Sequence, residues 1–541
     1  MPEESIVISR AEYQQLLDQN KQLFSTLQEA TITNQELMGR ITTLLQEMKN
    51  MQRMLFGSKS EKRIYISEGQ IAMELGDAFN EPEACAGVNA PEIEPSPVSA
   101  KGKTKKHRSL MDKLPKDMRV EVIHRTLVDA ELQCPHCSER MEELDEDIIR
   151  RLKVVPAQFY VEETHVHKYV CRNCQNNGTE PPIHVAPDAA QTIPGGIATP
   201  SVIAWLMAQK FVMFSPLYRI EQDLNRSGIE LSRQTMSNWL LFASGRWLKP
   251  IYDVLHRMLL KEDILHADET TFQVLHEPGK TAHSDSWIWL YRTGNASPMQ
   301  IVLYEYHVRR SADNPKEFLT GFSGCLQTDG YSTYNTLPEN IIHAGCWAHA
   351  RRYFEKVIKT AGSDLPDFSL AKKAMTWIDR LFELEKPLKD LTPTERLKRR
   401  QKEIQPEMDE LHDWLMQPHY FSKDAPIGKA MTYLRNQFDH LCTFLHDGRI
   451  EMTNNLAERS IKPFVMGRKN FLFANVPKGA AASATIYSLV NTAIENQLDP
   501  FRYLSWVLET APQLAVDTHP ELAVKLIPMN APDFCKAGVS A

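Results

Sequence analysis

At 541 residues the chain is several times longer than one typical domain, so three or four units, each with its own core, are expected. Lys and Arg total 62 against 69 Asp and Glu, and the net charge of −7 excludes a uniformly basic nucleic-acid coat; any polyanion-binding surface has to be local. Apolar residues at 42 % and charged residues at 24 % exclude a disordered or collagen-like chain. No apolar run is long enough to span a bilayer, and the N-terminal MPEESIVISR has no signal-peptide core, so a cytoplasmic location is expected.

From Tyr13 to Leu55 apolar residues recur with a heptad period, Leu16, Leu23, Ala30, Leu37, Leu44 and Met51 at one core position and Tyr13, Leu27, Ile41, Met48 and Leu55 at the other. This pattern predicts a coiled coil over 10–56 that pairs copies of the chain, with Asn20 and Asn34 as buried amides that set its register. Residues 80–110 have linker composition and end in a basic arm; between 101 and 120, eight Lys or Arg stand against two Asp. A zinc-binding ribbon is expected over 120–190, where CPHC (Cys134, Cys137) and CRNC (Cys171, Cys174) supply four thiolates in two tight turns. FYVEETHVHKYV reads as a strand delivering the second pair, and His165 or His167 is an alternative ligand. Four of nine cysteines arranged in this way point to metal ligation in a reducing compartment rather than to disulfides.

Residues 196–260 read as helical, and LYRIEQDLNRSGIELSRQTMSNWL has the rhythm of a helix-turn-helix. Leu217, Ile220 and Leu224 form an apolar face, Ser227 and Gly228 the turn, and Ser232 caps a helix bearing Arg233, Gln234, Ser237 and Asn238. Those polar side chains suit groove or phosphate contacts.

The hydrophobic period changes after residue 261. ILHAD is a short strand ending in Asp268, and SWIWLYRT and PMQIVLYEYHV complete an antiparallel meander. A short helix near 314–322, a fourth strand in CLQTDGY ending in Asp329, and a fifth in HAGCWAH running into the helix ARRYFEKVIKT follow. That order is the order of a ribonuclease-H-like sheet, whose first and fourth strands lie side by side. Strands about 4.8 Å apart would bring Asp268 and Asp329 within bridging distance of divalent cations. Oxygen ligands suit magnesium (or manganese), whereas the upstream thiolates suit zinc. In MTNNLAERSIKPFVMGRKNFLF a helix starting near 453–455 would place Asn455, Glu458, Arg459 and Lys462 on one face, an amide, a carboxylate and two cations. From 457 to 480, Arg459, Lys462, Arg468, Lys469 and Lys478 stand against Glu458 alone, interleaved with Phe464, Phe471 and Phe473, which makes a local basic patch. Long charged helices over about 364–444 read as an insertion in a catalytic domain spanning 261–480, followed by a helical element at 481–541. By strand alternation His343 and Cys346 point apart, so His343, Cys346 and His349 read as core or supporting residues rather than as metal ligands.

HADETTF, QTDGYSTYN, HAGCWAHARRYF and NNLAERSIKPFVMGRKNFLF resemble the catalytic core of the insertion sequence 66 (IS-66) transposases, and the likeness extends to LFGSKSEK, the CxxC pairs and YSLVNTAIENQLDPFRYLSWVL. The resemblance implies a DDE transposase in which Asp268, Asp329 and Glu458 are the three acids, with Glu269, Asp447 and Glu451 as lesser rivals. It implies binding of element ends, metal-dependent cleavage and strand transfer on DNA near the nucleoid, a homo-oligomer through the coiled coil, and two small accessory proteins of the same element as further partners. Where this chain has Lys462 the family usually has Arg, which keeps the charge but not the bidentate geometry. The rival readings are a DNA-binding regulator that has lost catalysis and a nuclease of the same fold; the presence of all three acids opposes the first, and the end-binding modules oppose the second.

Overall fold

A computed structural model describes residues 158–170, 183–185, 191–362 and 365–538, with isolated helical positions between 15 and 22. The linker, the basic arm, Cys134, Cys137, Cys171 and Cys174, and almost all of the expected coiled coil lie outside the described residues. Of FYVEETHVHKYV only Lys168–Val170 (β1) is a strand, paired antiparallel with Ile183–Val185 (β2). The expected strand is shorter because residues 160–167 are exposed along their whole length and have no face to bury.

Helices α1 (Pro200–Phe211), α2 (Leu217–Arg226), α3 (Arg233–Ala243) and α4 (Lys249–Leu259) follow. Ile220 and Leu224 are buried as the helix-turn-helix pattern requires, and Gly228 takes the turn with φ +78. Ser232 caps α3, its Oγ accepting the Thr235 N–H at 3.1 Å. Arg233, Gln234 and Asn238 project from α3 into solvent.

The sheet runs through β3 (Ile264–Val274), β4 (Asp285–Thr293) and β5 (Val302–His307), then, after helix α5 (Asp313–Phe318), β6 (Gly324–Gln327) and β7 (Ile341–Ala344). Its order is β5-β4-β3-β6-β7, antiparallel in the first three strands and parallel from β3 through β7. The first and fourth strands are therefore neighbours, with His266 opposite Gln327. Three boundaries differ from expectation. β3 does not end at Asp268 but continues to Val274, because β4 pairs with it as far as Gln273. β6 ends at Gln327, leaving Asp329 in the turn beyond it. HAGCWAH is strand only to Ala344: the Gly345 N–H leaves the sheet for His440 O at 2.8 Å, and α6 (Trp347–Ala361) starts after Cys346.

Beyond α6 come α7 (Leu370–Glu385), α8 (Pro393–Arg399), α9 (Gln405–Met416) and α10 (Pro426–Cys442), the long charged helices expected there. The chain then returns to the sheet through α11 (Asn455–Phe471), β8 (Phe473–Ala474, parallel to the end of β3), α12 (Pro477–Glu495) and α13 (Pro500–Gln513).

Side-chain alternation on β3 divides the interior in two. Leu265 and Ala267 face a core shared with α1–α4 and α11–α13, whereas Ile264 faces a second core built by α6 and the helices α7–α10. The C-terminal helices thus belong to the sheet's own core rather than standing apart. Helix α12 also covers the edge of β5: Thr492 Oγ1 accepts the Val302 N–H at 3.0 Å and Ser488 Oγ accepts that of Tyr304 at 2.8 Å.

In the second core Glu385 is buried between two arginines, accepting from Arg396 Nε at 2.8 Å and Arg400 Nε at 3.0 Å. Arg400 Nη1 donates onward to Phe444 O at 2.8 Å and Ile450 O at 2.9 Å, and Arg396 Nη2 to Glu451 Oε2 at 3.0 Å. The cluster thereby ties α7 and α8 to the segment that leads into α11. Glu385→Ala would remove the carboxylate shared by two buried guanidinium groups, leaving Arg400 with no charged partner among those named, and should destabilise the protein by about 3–5 kcal/mol, read as a lower urea midpoint of unfolding.

Candidate active site at the open flank of the central strand

The parallel pairing of β3 and β6 ends at His266 and Gln327; Asp268 lies two residues further along β3 and Asp329 two residues into the turn after β6, close enough for the Asp329 charge to act on the Asp268 carboxyl. Beyond Ala267 one flank of β3 has no strand beside it until β8 pairs at Gln273, so backbone groups there need other partners. The Asn454 amide donates to Ala267 O at 2.8 Å, the Asp268 carboxylate accepts the Glu269 N–H at 2.9 Å, and Arg468 Nη1 bonds to Thr271 O and, at 3.0 Å, to Thr271 Oγ1. The acids stand where the ladder opens and side chains replace a strand.

Asp329 lies in a turn that its own side chain closes, Oδ1 accepting the Tyr331 N–H at 2.9 Å. Gly330 follows at φ +84, and a Cβ there would lie 2.9 Å from the Gln437 side chain. Tyr433 of α10 donates to Asp329 O at 2.7 Å, so the helical segment after α6 fixes the backbone of this acid. Glu458 is in the first turn of α11, half-buried. Asn455, Arg459 and Lys462 share its face as the spacing predicts, with Arg459 exposed.

Burial pushes the Asp268 carboxyl well above the usual range, and the charges of Glu269, Asp329 and Glu458 push in the same direction; only the Glu269 N–H opposes them. Glu269 is placed differently. Burial and Asp329 raise it, yet Arg310 Nε at 3.0 Å and the Tyr334 hydroxyl at 2.6 Å already occupy its oxygens. Asp447 and Glu451 are likewise paired, with Arg449 and Arg396.

Asn454, His266 and Arg352 carry no obvious sequence signal for this site. Asn454, fully buried, accepts at Oδ1 from His266 Nδ1 (3.0 Å), donates its amide to β3 and donates its backbone N–H to Cys346 Sγ at 3.1 Å. Burial lowers His266 to about 4, so its ring is neutral, and Nδ1 carries the proton that Asn454 accepts. Cys346, at the start of α6, brings His349 and Arg352 onto the same side at helical spacing. His349 Nε2 lies 3.5 Å from Glu458 Oε1, and Arg352 Nη2 lies 3.2 Å from both Glu458 oxygens. Cys346 is fully buried, in keeping with the reading of these residues as core or support, but Cys346, His349 and Glu458 also offer ligand atoms within 4.8 Å of one another. The reading assumed a strand through Cys346, whereas a helix begins there and turns both side chains toward α11. His343 instead packs against His440, ring centroids 5.4 Å apart.

The basic patch is narrower than its sequence. Arg468 bonds to β3 rather than facing solvent. Phe464 is in the core against Phe272 at 5.1 Å, and Phe471 lies under Lys210 at 4.3 Å. Phe473, Arg459 and Lys469 remain exposed. On α3, the Gln234 amide donates to Asn238 Oδ1 at 3.1 Å, and the Arg233 backbone N–H bonds to Glu221 while its side chain stays at the surface.

Residues 195–482 match the model of the Transposase IS66 family. Residues 131–175, which hold all four paired cysteines, match a zinc-finger binding domain of transposase IS66, and residues 43–123 match a model described as Transposase C of IS166 homeodomain. The last overlaps only the end of the expected coiled coil and reaches through the linker. Among relatives in Sinorhizobium fredii, the uncharacterized protein y4jD is 30% identical over 492 residues, 88% of this chain and 92% of its own length. The uncharacterized proteins y4qI (30% over 511 residues, 91% and 89%) and y4hP (28% over 495 residues, 86% and 85%) are similar over comparable spans. No described helix is long and apolar enough to cross a membrane. With the transposase model matching more than half of its length, the chain belongs to the Transposase IS66 family.

Proposed function

We propose that the chain is a DNA transposase of the DDE type, with a ribonuclease-H-like catalytic domain whose acids are Asp268, Asp329 and Glu458. The observation that supports the reading is that Asp268 and Asp329 follow the last paired residues of two neighbouring strands, in a chain of this family, with the charges of Glu269, Asp329 and Glu458 all raising Asp268. The strand order β5-β4-β3-β6-β7 supports the fold assignment.

The donor set suits hard divalent cations: three carboxylates, with the charges of Asp329 and Glu458 acting on Asp268 and raising it, so that positive charge arriving there is favoured; the ligand atoms that lie within 4.8 Å of one another are those of Cys346, His349 and Glu458. Magnesium or manganese held by Asp268, Asp329 and Glu458 would activate an attacking oxygen and stabilise a leaving one in an in-line displacement at phosphorus. The chain's own residues do the rest. Asn454 holds β3 and the start of α11 in register, so Asp268 and Glu458 keep their relative position; Arg459 and Lys462, one turn along, face a DNA phosphate; Lys469 and Asn455 extend that contact. Cleavage at an element end leaves a 3′-hydroxyl, which attacks the target phosphodiester at the same acids, with no covalent enzyme intermediate required. Arg233, Gln234 and Asn238 on α3 read the terminal repeats, with Arg468 securing the β3 flank instead of DNA. Zinc held by Cys134, Cys137, Cys171 and Cys174 stabilises the ribbon, and the N-terminal heptads pair protomers, with two small accessory proteins of the element as further partners.

In a strand-transfer assay with end DNA and magnesium, Asp268→Ala, Asp329→Ala and Glu458→Ala should each abolish cleavage and joining; persistent joining by any of the three rejects the site. Asn454→Ala touches no DNA in this scheme and should lower activity about 10–100-fold while leaving DNA affinity unchanged. The raised Asp268 carboxyl holds a proton in the folded protein at pH values where the unfolded chain has lost it. Its stabilising contribution is therefore lost as pH rises above the ordinary aspartate range, of about 4, through its raised folded value. Without added magnesium, the melting temperature of Asp268→Asn at pH 8 should exceed that of the parent, and magnesium should raise the parent's but not the variant's; identical pH profiles would contradict this.

A further inference from the structure

Arg352 occupies the position of a cation at this site. Its guanidinium is anchored to α6 one turn past His349, with Nη2 at 3.2 Å from both oxygens of Glu458 and Nη1 at 3.0 Å from His349 Nε2. His349 Nε2 faces the Arg352 guanidinium, while its Nδ1, buried, has no hydrogen-bond partner. The two side chains that Arg352 binds, His349 and Glu458, also offer a ring nitrogen and a carboxylate oxygen that with Cys346 Sγ lie within 4.8 Å of one another. Unlike Arg400 or Arg396, which are buried, Arg352 is exposed over 56% of its side chain, so it can leave Glu458 for solvent without disturbing a core.

We propose that Arg352 is an internal counter-ion that must leave Glu458 before a divalent cation can engage it, and that the released guanidinium then binds a phosphate of the DNA entering the site. This rests on the assignment of Glu458 to the metal centre. The physical reasons are direct. One carboxylate cannot give both oxygens to a guanidinium and also a lone pair to a metal ion without bringing two positive centres together at low separation. An arginine displaced at the solvent-facing rim meets the ligand its planar fork fits best, a phosphodiester. The exchange couples the two loading steps: metal without DNA leaves a displaced arginine unpaired, whereas metal with DNA satisfies every charge. Residual binding of each ligand should therefore favour the other.

The experiment uses the full chain, with Mn2+ as the probe followed by the electron spin resonance of the free ion, in the absence of DNA. Arg352→Ala, a substitution that keeps an exposed helical position helical, should bind Mn2+ roughly 5–10-fold more tightly than the parent, with Arg352→Lys in between. Binding of fluorescent end DNA in calcium should weaken for Arg352→Ala, and its dependence on log salt should fall by about one phosphate contact, a slope change near 0.9. Unchanged or weaker Mn2+ binding in Arg352→Ala overturns the proposal. Tighter Mn2+ binding with an unchanged salt slope overturns its phosphate half. Parent binding that is insensitive to Asp268→Asn and Asp329→Asn rejects the metal centre itself and the proposal with it, and this failure is recognised because it does not depend on residue 352 at all.

Discussion

Placing one buried carboxylate, Asp268, in the field of three other acids is the constraint from which the remaining features of this site follow. Burial and like charge both disfavour ionised Asp268, so the fold sustains the arrangement only by protonation, by an arginine nearby or by a cation from solution. The protein uses the arginine solution at four of the acids near this site and in the second core. Glu385, Glu269, Glu451 and Asp447 each have a guanidinium against them. The charges that act on Asp268 are those of other acids, opposed only by the Glu269 N–H, and that contrast marks a place where positive charge supplied from outside the chain would be stabilising.

The opening in the sheet and the acid cluster have one cause. A parallel neighbour that stops at Gln327 leaves the flank of β3 without a ladder, and an unpaired backbone in the interior has to be satisfied. Asn454 and Arg468 do so from the two ends of α11, and in doing so they dock the helix carrying Glu458 beside the strand carrying Asp268. The helices between α6 and α11 contribute from the other side. Tyr433 grips the backbone of Asp329, and the Glu385 cluster secures the approach to α11. A helical segment long enough to look like an appendage thereby becomes part of the support of two of the three acids.

The elements themselves were largely legible in the sequence. Alternation and period marked the meander, the helix-turn-helix and the charged helices, because each is specified by which local face is apolar. What misled was continuity: HAGCWAH reads as one apolar run, yet the strand stops where the Gly345 N–H turns to His440, a partner almost a hundred residues along the chain. Phe464 and Phe471 look like an aromatic complement to a basic patch, but on a helix that lies against a sheet their face is the buried one.

The sequence by itself determined the residue types, the spacing that lines Asn455, Glu458, Arg459 and Lys462 along one helix face, and the adjacency of first and fourth strands, since these follow from local periodicity and a short list of sheet topologies. Tertiary structure decided which of six plausible acids lack a basic partner, that Asn454 joins strand to helix, that Arg468 serves the fold, and that Arg352 rests on Glu458. Pairing of charges is settled by distance in space, and these partners, separated by about 40 to 200 residues in sequence, meet only once the chain has folded.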